Sequence, residues 1–418
     1  MPAADPEVLT ADFWLTSPDG TESWTVPGQQ LTRADITTQG LRHFARSRLG
    51  VEALVLHDGG LACGRRRAEV RLELAPESAS PPSPPFREGP PLPALPRARP
   101  WQRPGWHRST LDWLDAALNT LGERRLGEAE QVSSYDLACV LRVQTDGGSA
   151  YLKAGESGRE AGVSAGAWAR LPDLTAEVLA RDERAGLLLT RAAGPSLHQA
   201  AGLDAWTGTG LARLQRGLSR EAVEAGEAET HPFAELPRRL AALLSDPERL
   251  AGWGLGEDAP PGLMSTLEAA RAAHGRVAEL DLLDLAAHGD AHPMNVLLGR
   301  GGPVWFDWSE AGWAHPFTDA GWFFAWLSHP AREGLPIRQA HPDAVPVLWR
   351  AYLGALSIGG RSPHAREALL ADALVVGLAQ RAVTYDRKFR HWEGTVPGWR
   401  PMYVPYYLGL LRRHAEAP

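Results

Sequence analysis

The chain has 418 residues, 44% of them hydrophobic and 22% charged, with a formal net charge of -7 and a pI near 6.1. That balance excludes wholesale disorder and fibrous repeats, and the length suits two or three domains. Two isolated cysteines, Cys63 and Cys139, exclude a disulfide scaffold and a cysteine zinc site. No run of about 18 apolar residues and no basic-then-apolar leader occurs, so the chain reads as cytoplasmic, with neither nucleic acid nor membrane as partner.

In chain order, residues 1–80 are expected to form a small α+β domain. DFWLTSPDGTESWTV reads as a hairpin turning at Asp19-Gly20. TRADITTQGLRHFARSRLG has a helical period closed by Gly50, and VEALVLHDGG and AEVRLELA read as strands. Residues 81–104 are expected to be a linker, because 81–100 hold nine prolines. STLDWLDAALNTLG is an amphipathic helix with Ser109 or Thr110 as its N-cap, and Asn119 lies near its end. EAEQV, LACVLRVQT, SAYLKA, EVLARDE and GLLLTR then read as a five-stranded sheet with one helix near 159–171. These elements place a lobe at 105–190. From 191 to 418 the pattern is mainly helical, broken by a hairpin, NVLLGRGGPVWFDW.

The stretch His288-Gly289-Asp290-Ala291-His292-Pro293-Met294-Asn295 stands between apolar strands, with Asp307 twelve residues further on. A hairpin after Asp290 would bring Asn295 and Asp307 onto adjacent strands. A carboxylate and an amide oxygen are hard ligands suited to Mg²⁺, and Asp290 on the loop before them is placed to take a proton. Of the 43 basic residues only two are lysines, Lys153 and Lys388, and the chain has only two asparagines, Asn119 and Asn295. A lysine that survives in so arginine-rich a background marks a place where a compact ammonium serves better than a guanidinium fork. Lys153 ends the alternating strand SAYLKA, whereas Lys388, in YDRKFRH, is expected on a solvated basic face.

HGDAHPMN followed by FDW resembles the aminoglycoside phosphotransferase family, a branch of the protein-kinase-like fold. Over 105–418 the resemblance implies an α+β, two-lobed kinase-like fold, with a five-stranded antiparallel N-lobe and a mainly helical C-lobe, after the small α+β domain. It implies an ATP- and Mg²⁺-dependent kinase that phosphorylates a hydroxyl of a sugar, an amino alcohol or an aminoglycoside-like compound. By the same resemblance Asp290 is the catalytic aspartate that orients or deprotonates the acceptor hydroxyl, and Asn295 and Asp307 are the Mg²⁺ ligands. Lys153 contacts the nucleotide phosphates, braced by Glu160 or alternatively Glu156. Ser133 and Ser134 stand in the phosphate loop, which lacks glycine here. Thr190 and Ala192 offer hinge main chain to the base. His288, His292 and Asp319 support the loop.

Glu310 reads either as a solvated loop acid or as a binding group. From 195 to 418 there are 25 acids against 21 bases, so nothing singles out a polycation as acceptor, and the cluster Glu221, Glu224, Glu227 and Glu229 reads as a solvated helix face. A catalytically weak, nucleotide-sensing protein of the same fold is the alternative, and the intact Lys153, Asp290, Asn295 and Asp307 argue against it. The stretch WTVPGQQLTRADITTQGLRHFARSRLGV resembles a Nudix box, but His43, Arg46 and Ser47 stand where metal-binding glutamates belong, which implies that pyrophosphatase chemistry is lost.

Overall fold

The computed structural model describes residues 9–58, 67–75, 86–90, 98–199, 203–204, 206–223, 232–253, 255, 262–328, 342–358, 360–390 and 400–416. The chain divides into two compact units. The described part of the first is 9–158 with 179–192, and that of the second is 159–178 with 193–390 and 400–416.

The first unit holds two five-stranded sheets. One contains β1 (Leu9–Thr16), β2 (Ser23–Leu31), β3 (Ala53–His57), β4 (Arg67–Leu74) and β5 (Arg87–Glu88) in the order β3-β4-β1-β2-β5. Strand β1 runs antiparallel to β2 and parallel to β4. Helix α1 (Thr38–Arg48) covers one face, stacking Phe44 on Phe13 at 5.3 Å. Thr37 caps its start, accepting from the Gly40 N–H, and Gly50 follows its end at φ 69°. Helix α2 (Trp106–Thr120) starts earlier than the expected Ser109 or Thr110. Gly105 adopts φ 80° there and donates its N–H to buried Glu73, so a tertiary contact sets the start.

The second sheet is β6 (Glu130–Ser134), β7 (Ala138–Thr145), β8 (Gly148–Gly155), β9 (Val178–Asp182) and β10 (Leu187–Arg191), in the order β6-β7-β8-β10-β9. Its core face packs Leu141, Val143, Ala150, Leu152 and Leu189 against Leu114 and Leu118 of α2. Edge strands β3 and β6 are joined by one side chain. Gln131 donates Nε2–H to the Val55 carbonyl at 2.9 Å and accepts the Val55 N–H at 2.8 Å. Arg42 donates to the Gln131 carbonyl, and Thr38 Oγ1 accepts the Ser134 N–H. At the β6–β7 turn, Trp101 Nε1 donates to the Tyr135 carbonyl at 2.8 Å and Gln102 Nε2 to Asp136 Oδ1 at 2.7 Å. The segment 81–104 thus supplies β5 and the turn Pro100–Gln102, which docks on the second sheet.

The second unit is mainly helical: α3 (Arg159–Arg170), α4 (Trp206–Gly217), α5 (Arg220–Val223), α6 (Leu236–Leu244), α7 (Pro247–Gly252), α8 (Leu263–Ala278), α9 (Pro316–Ser328), α10 (Val345–Ala355), α11 (Pro363–Arg390) and α12 (Arg400–Ala415). Among the described residues it also has four short strands. β11 (Leu285–Ala287) pairs with β14 (Gly312–Ala314), and β12 (Val296–Gly299) forms a hairpin with β13 (Gly302–Trp305).

Helix α11 is long and apolar enough to cross a membrane, yet 78% of its most apolar eighteen residues lie buried against the rest of the unit. It is a core helix, and it crosses α9 main chain to main chain. A Cβ on Gly321 would stand 1.8 Å from the Ala373 carbonyl oxygen, and one on Gly377 would stand 2.3 Å from the Trp322 nitrogen. Only glycine permits that approach, and it brings Trp322 and the next turn of α11 to the loop after β11.

Candidate active site

The loop after β11 is held open by a chain of hydrogen bonds. Asp319, near the start of α9, accepts the His288 N–H at 2.6 Å on Oδ2 and the Gly289 N–H at 3.0 Å on Oδ1. Gly289 has φ 83°, and a Cβ there would lie 1.9 Å from the Glu310 carbonyl oxygen, so the loop needs glycine at this position. Burial pushes Asp319 up to about 6 against those two N–H bonds. Burial also keeps His288 neutral. Its Nε2 lies 2.8 Å from the Phe306 carbonyl oxygen, which can only accept, so the proton is on Nε2.

Asp290 follows. Burial opposes its charge, but the Arg381 guanidinium and then His292 outweigh burial and hold the carboxyl well below the usual carboxylate range. Trp322 Nε1 donates to its Oδ1 at 3.0 Å. His292 accepts the Met294 N–H on Nδ1, which puts the imidazole proton on Nε2, 3.6 Å from Asp290 Oδ2. Its ring stacks on Trp326 at 5.1 Å.

The β12–β13 hairpin pairs Val296 with Trp305, so Asn295 and Asp307 flank its open end. Asn295 is buried and donates Nδ2–H to the Asp290 carbonyl at 3.0 Å, so Oδ1 is the oxygen it can offer a cation. Asp307 has φ 64°, a left-handed backbone that non-glycine residues seldom adopt and that collects at working sites. Its Oδ1 accepts from Ser309. One carboxylate and one amide oxygen fit Mg²⁺. Among the described residues no group of three or more His, Cys, Asp or Glu gathers to hold a metal, and Mg²⁺ asks for no such cage because it keeps waters and substrate phosphates.

The family model of the phosphotransferase enzyme family matches residues 144–354, half of the chain. The chain belongs to that family. It is a small-molecule phosphotransferase with a protein-kinase-like fold. A search of the curated proteins finds no match. Among solved structures it resembles a choline/ethanolamine kinase family protein from Mesorhizobium loti, at 17% identity over 74% of this chain and 95% of that one, with a TM-score of 0.51. A macrolide 2'-phosphotransferase from Brachybacterium faecium follows at 16% identity, 74% and 99% coverage and a TM-score of 0.45. An aminoglycoside phosphotransferase in ternary complex with ADP and hygromycin B stands at 13% identity, 74% and 100% coverage and 0.43.

In the first unit of this phosphotransferase, Lys153 lies on β8 between Val140 of β7 and Leu188 of β10. Its neighbours Leu152 and Ala154 face α2, so Lys153 projects from the opposite face of the sheet. Glu160 is buried in the first turn of α3, in the second unit. Glu156 is bound by Arg99 at 2.7 Å.

Several expectations need correction. Ser133 and Ser134 are not in a turn. Strand β6 runs through both after a register shift near Gln131, Ser134 is buried, and the turn is 135–137. Ala192 does not present its N–H to a ligand, because it donates to the Ser149 carbonyl at 2.9 Å and continues the β8–β10 ladder past Arg191 and Ala150. Thr190 pairs with Tyr151 in that ladder, and the antiparallel alternation turns the main-chain groups of Arg191 away from β8.

Lys388 and Glu310 are not solvated. The Glu310 side chain is 9% exposed, Lys388 is 26% exposed, and the two are paired at 2.8 Å. Helix α11 is buried from Arg381 to Asp386, and Arg387 and Lys388 beyond it are half-buried. Trp305 and Trp308 are core and enclose His288, whereas Trp322 and Trp326 reach Asp290 and His292. Sequence reasoning missed Arg381 altogether: one arginine among 41 carries no local signal. Of the acidic cluster, Glu221 is exposed, and Glu224, Glu227 and Glu229 lie outside the described residues.

Proposed function

We propose that this phosphotransferase moves the γ-phosphoryl group of ATP to a hydroxyl of a small acceptor such as a sugar, an amino alcohol or an aminoglycoside-like compound. The observation that carries this reading is Asp290, an ionised, half-buried carboxylate held on one oxygen, whose main chain is bonded by Asn295. Asp290 orients the acceptor oxygen and takes its proton as the new O–P bond forms and the bond to the ADP oxygen breaks. With so low a proton affinity Asp290 orients more than it stores, which suits a loose transition state needing little help from a base. Asn295 and Asp307 would hold Mg²⁺, which supplies charge neutralisation on the phosphates when bound. Lys153 contributes a fixed positive charge to the phosphates.

The test has two stages. First, Mg·ATP should raise the apparent melting temperature by mass action, and a screen of sugars, amino alcohols and aminoglycosides with enzyme-coupled ADP detection should find the acceptor. Second, Asp290→Asn should keep Mg·ATP binding while turnover falls roughly 10²–10⁴-fold. Loss of nucleotide binding in that variant would make Asp290 a ligand instead and defeat the assignment.

A further inference from the structure

Asp290 is held from outside its own loop. Arg381, on the turn of α11 after the Gly377 crossing, is a fully buried cation with a side-chain exposure of 2%. Its Nη2 lies 2.8 Å from Asp290 Oδ1, the same oxygen that accepts from Trp322 Nε1 at 3.0 Å. Its Nη1 donates to the Gly289 carbonyl and to Glu310 Oε2 at 2.7 Å. The guanidinium carbon stands 4.6 Å from the Tyr385 ring centre, 5.5 Å from Trp322 and 5.9 Å from Tyr407, so the group has aromatic walls. Glu310 is fixed in turn by Lys388 Nζ on Oε1 at 2.8 Å, and that ammonium lies over Tyr385 and Phe389 at 5.9 and 5.8 Å. Two acids and two bases close the cluster without net charge, as a buried ionic group requires. The second of the two lysines thus has a place of its own.

We propose that Arg381 is a positioning residue for phosphoryl transfer: together with Trp322 it pins Asp290 Oδ1, so that Oδ2 is the oxygen that receives the acceptor hydroxyl. The inference rests on the reading of Asp290 given under Proposed function. The terminal torsion of an aspartate is broad and roughly two-fold, so an unheld carboxylate presents either oxygen over a wide arc. The Trp322 hydrogen bond and the Arg381 charge 2.8 Å away both act on Oδ1 and favour one orientation, whereas His292 Nε2 stands 3.6 Å from Oδ2, beyond hydrogen-bond length. Arg381 touches neither acceptor nor nucleotide in this scheme and acts through Asp290.

The experiment is a double-mutant cycle read as ADP release from Mg·ATP with water as the acceptor. Arg381→Gln should lower kcat about 100-fold and Trp322→Phe about tenfold, the scale of a catalytic group misplaced by an ångström or less. KM for Mg·ATP should stay within about twofold, and Arg381→Lys should recover part of the loss by restoring the positive charge. In an Asp290→Asn background neither Arg381→Gln nor Trp322→Phe should lower kcat further, because the group they position is gone. An equal fold-loss in both backgrounds, or a loss confined to KM, would overturn the positioning role and leave Arg381 a structural residue. Trp322→Phe keeps the ring, so the cycle stands even if Arg381→Gln does not fold. Asp290→Asn at the wild-type rate, or no ADP release from the wild type, would overturn the reading of Asp290 itself and the inference with it.

Discussion

Replacing Gln131 by alanine tests how the two sheets of the first unit are joined. Gln131 and Val55 are both fully buried, and the side-chain amide satisfies the Val55 N–H at 2.8 Å and the Val55 carbonyl at 2.9 Å. Val55 sits on the edge strand β3, so alanine leaves both main-chain groups without that partner. A buried donor or acceptor left unsatisfied costs about 1–3 kcal/mol, so with two such groups Gln131→Ala should lose roughly 2–6 kcal/mol. At about 2–4 °C per kcal/mol for a unit of this size, the melting temperature should fall by roughly 4–24 °C. Denaturant unfolding followed by tryptophan fluorescence and circular dichroism measures the loss. Gln144→Ala, at an exposed position, is the control and should stay within about 0.5 kcal/mol. Gln131→Glu should be worse than alanine near neutrality, since a carboxylate cannot donate to the Val55 carbonyl, and should recover in acid as the neutral group regains a donor. A Gln131→Ala protein as stable as the control would refute the claim that this amide joins β3 to β6.

At the metal pair, Asp307→Asn should weaken Mg·ATP affinity more than Asn295→Ala, because the first removes charge and the second one neutral oxygen that water can replace; metal titration of turnover gives the order, and identical curves for wild type and Asp307→Asn would end the metal assignment. Lys153→Arg should not restore wild-type kcat/KM for ATP, because a guanidinium fork does not substitute for a compact point charge; full activity would make the survival of lysine there accidental. Asp319 is raised to about 6 by burial, above its ordinary 3.8, so the folded state binds the extra proton between about pH 4 and 6. Wild-type stability relative to Asp319→Asn should therefore fall as pH rises through that window, by up to about 3 kcal/mol, and flatten above it, with Asp290, Arg381 and Tyr352 the charged or titratable groups around it. A flat difference across pH 4–7 in paired denaturant titrations would refute it.

What the sequence determined by itself was local. Alternation over SAYLKA and LACVLRVQT, the helical period of 38–48, and glycines at turns each involve neighbours a few residues apart, and the observed strands and helices follow them. The run from His288 to Asn295 was legible for the same reason, since one loop and one hairpin carry it. Lys388 was misread, and Glu310 was left open, because an acid and a base far apart in the chain look solvated until packing brings them together. Glu310 and Lys388 are 78 residues apart, Arg381 and Gly289 are 92, and Gln131 and Val55 are 76. Those pairings exist only because α11 crosses α9 at Gly321 and Gly377 and because two sheet edges meet. A buried charge is tolerated only where the fold supplies its partner, so which arginine among 41 would hold the Asp290 carboxylate was for the tertiary structure to decide.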